Sequence, residues 1–192
     1  MKTIIISLKI FLFLTIVTGI IYPLFVTGIA QLIFPSKANG SMIVKDNKVI
    51  GSELIGQQFD SSIYFSSRPS AISYNPLPSG GSNFGLTNAK LKHNVDSLTR
   101  QFIAYNQLDS LTTSVPSEMV FASASGLDPH ISPEAAFLQV NRIAKARKFN
   151  TVQKQKLMQC IKDLTEHPQF FCLGDERINV LLLNLATDKI NN

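Results

Sequence analysis

Ile10–Phe34, IFLFLTIVTGIIYPLFVTGIAQLIF, decides the architecture of this chain. No charged side chain occurs between Lys9 and Lys37. Ile, Leu, Phe and Val dominate the stretch, and its polar members, Thr15, Thr18, Thr27 and Gln31, are mild. As a helix it would be roughly 37 Å long at about 1.5 Å per residue. The hydrocarbon core of a bilayer is about 30 Å thick, so the segment is long enough to span it with some tilt or a kink. Pro23 is the expected site of a kink, because it removes a backbone donor that neighbouring helices or Thr hydroxyls must compensate. Gly19, Gly28 and the Thr residues suit close packing against other helices. The competing reading is a cleaved secretory signal, with Lys2 and Lys9 as its positive region and Gly28-Ile29-Ala30 as a small-residue cleavage site. Signal cores run about 7–15 residues, so length favours an anchor.

Residues 1–9 thus form a short flank, 10–34 a transmembrane helix and 35–192 a single soluble domain. From residue 38 onward, 15 basic residues face 13 acidic ones, a net charge of only +2. The chain's basic pI owes much to the lysines flanking the span, which argues against nucleic acid as a partner. Lys2 and Lys9 flank one end of the span, and Lys37, Lys45 and Lys48 the other, so positive charge does not settle orientation. Cys160 and Cys172 form one disulfide if the domain is exported, but Cys160 falls on an apolar helix face, where a free thiol is commoner.

The soluble part reads as α+β, with short strands and about four helices. Ser41–Ile50 is a hairpin around Lys45-Asp46-Asn47-Lys48. Residues 51–88 are rich in Gly, Pro, Ser and Asn, with Ile63-Tyr64-Phe65 as a short strand. Their many apolar side chains are costly to leave in water, so an ordered irregular segment is expected rather than disorder. Leu91, Val95, Leu98, Phe102 and Tyr105 form one helical stripe, capped by Thr87 or Asn88. Met119–Ala122 reads as a strand. Ser132-Pro133-Glu134 opens a second helix with Phe137, Val140, Ile143 and Ala144 buried. Asn150 and Gln153 open a third, lined by Leu157, Cys160, Ile161 and Leu164 and stopped by Pro168. A fourth covers Asp175–Asp188, although Val180–Leu183 also suits a buried strand.

Two constellations carry candidate chemistry. Ser79-Gly80-Gly81-Ser82-Asn83 can turn successive amides toward an anion, with Arg68 as its charged partner. The Lys and Ser/Thr of a P-loop do not follow, and a plain turn before the first helix competes with this reading. Ser82 lacks the second Gly of a nucleophile elbow. Asp128 and His130 are placed to act as acid and base, or simply to build a helix entry at Ser132. His93 and His167 lie far off in sequence, so no metal site is expected. Arg142, Lys145, Arg147, Lys148, Lys154, Lys156 and Lys162 fall in a stretch without acids and read as a solvated face, or as one meeting lipid head groups.

Several motifs recur together: Tyr22-Pro23-Leu24, Thr27–Gln31, Phe34-Pro35 with Ala38–Ser41, Gly51-Ser52 with Leu54–Gln57 and Phe59, and Tyr64-Phe65. Arg68–Ala71, Tyr74-Asn75-Pro76, Ser79–Asn83, Ala122–Asp128 and Asn179–Ala186 complete the set. In this order, over nearly the whole chain, they resemble the C subunit of the Kdp potassium-transporting ATPase. The resemblance implies a bacterial inner-membrane complex importing potassium at the expense of ATP. Its other members are a potassium-channel-like subunit, a P-type ATPase subunit and a small single-span subunit. It implies a retained anchor in the lipid, a periplasmic soluble domain, and an accessory role without catalytic residues or tightly bound cofactor. The family is described as a catalytic chaperone that raises the ATPase subunit's affinity for ATP through a ternary complex. ATP would then be reached through that subunit. The alternative is a nucleotide-binding regulatory protein using Ser79–Asn83. Where the family often has Asn-Pro, this chain has Asn88-Ala89, which softens the start of the first helix.

Overall fold

Chain contacts divide the protein between Ser52 and Glu53 into two units, each described by itself. The structure, a computed structural model, describes residues 2–170 and 172–190.

In the first unit a helix runs from Lys2 to Ile33, long and apolar enough to cross a membrane. It comprises α1 (Lys2–Ile16), a π turn at Val17–Ile21 and α2 (Tyr22–Ile33). The π turn ends two residues before Pro23, and the Tyr22 amide reaches back five residues to the Val17 carbonyl. A wider turn is one way for a helix to pass a residue that lacks an N–H and whose ring crowds the preceding turn. Thr15 and Thr18 Oγ1 donate to the carbonyls of Phe11 and Leu14, hiding their hydroxyls on the helix itself. A short α3 (Pro35–Ala38) leads to β1 (Met42–Lys45) and β2 (Lys48–Ser52). These pair antiparallel, with Lys45 opposite Lys48 and a bulge between Ile43 and Val44. Asp46 and Asn47 take φ of 51° and 58°, the left-handed pair that a tight two-residue hairpin turn requires and that Asp and Asn tolerate.

The second unit is built on α4 (Ala89–Asn106), α5 (Pro133–Ala146), α6 (Thr151–Asp163) and α7 (Val180–Lys189). Two short strands, β3 (His130–Ile131) and β4 (Ile178–Asn179), pair antiparallel. Each helix starts on the side chain that its sequence supplies. Asn88 accepts from the Lys90 amide and Ser132 from that of Ala135. Asn150 and Gln153 form a reciprocal capping box, and Asn179 accepts from the Leu182 amide. The core gathers Phe65, Phe102, Ile131, Val140, Ile143, Leu157, Ile161, Ile178 and Leu183.

Several expectations need correction. Ile63-Tyr64-Phe65 is not a strand, because its backbone groups are taken by helix side chains instead of a sheet neighbour. Met119–Ala122 is not a strand either. Ser117–Met119 is a 3-10 turn whose Ser117 carbonyl receives the amides of Val120 and Phe121. Phe137 is 38% exposed; Gln139, on the core side of α5, is fully buried in its stead. On α4, Phe102 and Asn106 are buried, whereas Tyr105 is exposed. The third helix stops at Asp163, five residues before Pro168. The last helix begins at Val180 rather than Asp175, so the strand reading of Val180–Leu183 fails. Cys160 and Cys172 are free thiols, half-buried and exposed respectively.

Candidate functional site

The irregular segment after Glu53 carries most of the motifs, and its shape is set by polar side chains reaching up from the helices. Asn184 accepts from the Phe65 amide at 2.7 Å and donates to the Phe65 carbonyl at 3.0 Å. Gln139 does the same for Ser66, at 2.8 Å and 3.4 Å. Arg142 donates through Nη1 to the carbonyls of Ser62 and Tyr64, through Nε to Asn106, and through Nη2 to Gln139. Its guanidinium carbon lies 4.4 Å from the centre of the Tyr105 ring. Burial pushes its pKa down, yet each of its three nitrogens has an acceptor, which is what a buried cation requires. Arg147 donates to the Ile63 carbonyl and pairs with Asp188 at 2.8 Å.

Arg142 and Arg147 therefore do not belong to a solvated basic face. They, with Gln139 and Asn184, are the structural residues that the sequence reading missed. The available signal was polar residues at core spacing: Gln139 lies four residues from both Ala135 and Ile143, and Arg142 three from Gln139.

The sequence candidates fall in two neighbouring places. Arg68 Nη1 lies 2.6 Å from Asp128 Oδ2, and the His130 amide donates to Asp128 Oδ1 at 3.0 Å. His130 Nδ1 is 3.4 Å from the same oxygen. Burial raises the Asp128 pKa, but hydrogen bonds from the His130 side chain and amide and the Arg68 charge outweigh it, holding the carboxyl at about 2. So low a value makes Asp128 a permanent anion at neutral pH and a poor proton acceptor. The group is an ion-paired cluster at the entry to β3. These three residues line a cleft of about 700 Å³ with Glu118 and Arg177.

Gly81, Ser82 and Asn83 instead line a groove of about 760 Å³ between the first turns of α4 and residues 120–124. Ser79 is exposed. The two places are joined by backbone contacts. The Gly80 amide donates to the Ser125 carbonyl, and the Gly56 amide to the Leu127 carbonyl at 2.7 Å. A Cβ on Gly81 would sit 3.1 Å from the Ala124 carbonyl oxygen, and one on Gly56 only 2.6 Å from that of Asp128. Gly126, at φ +69°, closes against the Gly80 carbonyl, so no other residue fits there. The glycines let two loops lie flat on each other. Because the Gly80 amide is already engaged, it is not available to an anion.

The family described as the K+-transporting ATPase, c chain, matches residues 4–189. A potassium-transporting ATPase KdpC subunit from Photorhabdus laumondii is 46% identical over 187 residues, covering 96% of this chain and 94% of that protein. The corresponding subunit from Polynucleobacter asymbioticus is 47% identical, with 94% and 95% covered. That from Leptospira interrogans is 44% identical, with 95% and 92% covered. The paired glycine loops, the Arg68–Asp128 ion pair and the apolar leading helix are thus features of a chain that belongs to the KdpC family, the C chain of the potassium-transporting ATPase.

Proposed function

We propose that this chain acts as a non-catalytic accessory subunit that holds an ATP-driven potassium import complex together. Its helix packs in the membrane among partner helices, and its second unit lies outside the cytoplasm. The partners are the channel-like subunit, the P-type ATPase subunit and the small single-span subunit. The observation that carries this reading is the segment between Glu53 and Asn88. It is irregular, yet fixed at residues 62–66 from beneath by Gln139, Arg142, Arg147 and Asn184 and at Gly56 and Gly80 by the 125–127 backbone, while Leu77 and Leu86 project outward at 81% and 95% exposure. A loop so held presents a rigid surface, and rigidity lowers the ordering cost of binding.

Any effect on ATP affinity is proposed to pass through the ATPase subunit. The nucleotide-binding alternative draws less support, because Gly80 donates to Ser125 and no Gly-Lys-Ser/Thr follows the loop. The test is co-purification through a tag on this chain, with Leu77→Asp and Leu86→Asp as surface variants. Both should fold normally and recover less of the partner subunits. Full assembly and transport in both variants would exclude the segment as a contact. Saturable ATP binding by this chain alone would favour the alternative.

A further inference from the structure

A third concavity, of about 770 Å³, opens beside the segment just described and shares none of the Arg68, Ser79–Asn83, Asp128 or His130 side chains. Its volume falls within the roughly 300–1,000 Å³ typical of small-molecule sites. Four aromatic rings line it, those of Phe59, Tyr74, Phe102 and Tyr105. Asp60 is the one charged residue in the lining, and no Lys, Arg or His belongs to it. The Asp60 carboxylate accepts from Gln58 Nε2 through both oxygens, at 3.0 and 2.9 Å. That donor is neutral and leaves the negative charge uncompensated, and Asp60 has no ion pair among the described residues. Tyr105 anchors the acid by donating its hydroxyl to the Asp60 carbonyl at 3.1 Å. Asp60 also acts on Tyr74: burial first, and then this negative charge, raise the phenol's pKa despite an opposing hydrogen bond with Ser67.

Aromatic faces carry negative potential and attract cations, most strongly where water is partly excluded. One of the four rings already serves this purpose internally, since Arg142 stacks on Tyr105, and Arg147 does the same on nearby Tyr64 outside the cleft lining. A carboxylate beside Phe59 and Tyr74, on whose rings no cation stacks among the described residues, repels anions and gives a neutral apolar ligand no advantage over a charged one. We propose that this aromatic cleft binds a small organic cation, an alkylated ammonium compound, with Asp60 as counter-ion and Phe59 and Tyr74 as the apolar walls.

The full chain in maltoside micelles can be titrated calorimetrically with choline and with its uncharged isostere 3,3-dimethylbutan-1-ol. Choline should bind saturably, and the isostere at least about tenfold more weakly. Asp60→Asn should abolish that preference and Asp60→Glu should retain it. Asp60 is exposed and its carboxylate bonds only a neutral amide, so both variants should melt with the parent. No saturable choline binding up to about 10 mM, or equal binding of the isostere, overturns the proposal. So does an unchanged preference in Asp60→Asn. If choline does not bind but Asp60→Asn loses the partner subunits, the cleft is a protein docking site and the proposal is likewise wrong.

Discussion

Two buried or half-buried charges govern the second unit at the level of single residues. Arg142 serves four acceptors, and removing it leaves the carbonyls of Ser62 and Tyr64 and the Asn106 amide oxygen without that donor. Truncation of a buried, hydrogen-bonded cation costs more than the bonds contribute net, because the acceptors stay desolvated. Arg142→Met, which keeps the apolar stem, should lower stability by about 3 kcal/mol in a denaturant titration. A loss below about 1 kcal/mol would show that water reaches the site. Asp128 sets the acid behaviour. Its folded pKa of about 2 lies below the ordinary 3.8, so its contribution is fully present above the ordinary value. It is lost as pH falls from there through the folded value. With the side chain 31% exposed, solvent screening trims this to on the order of 1–2 kcal/mol. Between pH 5 and pH 2 the melting temperature should therefore fall less steeply in Asp128→Asn, from a lower starting point.

At the scale of elements, three of the four helix starts in the second unit are legible in the sequence and that of α7 is not, although a cap is a local contract between a side chain and an amide two or three residues on. Asn88, Ser132 and Asn150 all cap as their spacing requires. Asn150→Ala should cost about 1 kcal/mol, and a thermal melt will show it. The segment around Phe65 was illegible for the opposite reason. Its order depends on Asn184, 119 residues away, and on Gln139, 73 residues away, and no local pattern encodes such pairings. Ile63–Phe65 has the composition of a strand, but side-chain amides take the place of a neighbouring strand. The glycine motifs stand out in the sequence, but the loop against which they pack does not, because the contact joins residues 56 and 80 to residues 125–127. Steric differences among the glycines make this testable. Gly56→Ala would drive a Cβ to 2.6 Å from the Asp128 carbonyl oxygen and should destabilise the unit by about 1–3 kcal/mol. Gly80→Ala meets nothing within 4 Å and should be tolerated, although an anion-binding loop would not be expected to tolerate it.

On the scale of the whole molecule, the leading helix and the second unit pose different physical problems. One helix of 32 residues, with no more than its two lysines for charge, has mean hydropathy suited to lipid. Its side chains are nearly all exposed within this chain, so lipid or partner helices must cover them. A single exposed Ile or Phe is ordinary, but a whole apolar helix without cover is not, and the membrane is the cover that its length fits. The chain should accordingly stay in the membrane pellet after alkaline carbonate washing. Lysines at both ends leave orientation open, but the second unit carries its own reporter. Cys172 is exposed, whereas Cys160 is half-buried and its thiol is pushed up by burial and by Asp163. In a Cys160→Ala background, residue 172 is the one remaining thiol. If the second unit lies outside the cytoplasm, a small membrane-impermeant maleimide should label residue 172 in intact cells as fully as in lysed ones. Labelling only after lysis would put the unit in the cytoplasm. Direct access to ATP would then be possible, and the accessory role proposed above would have to give way to a nucleotide-linked one.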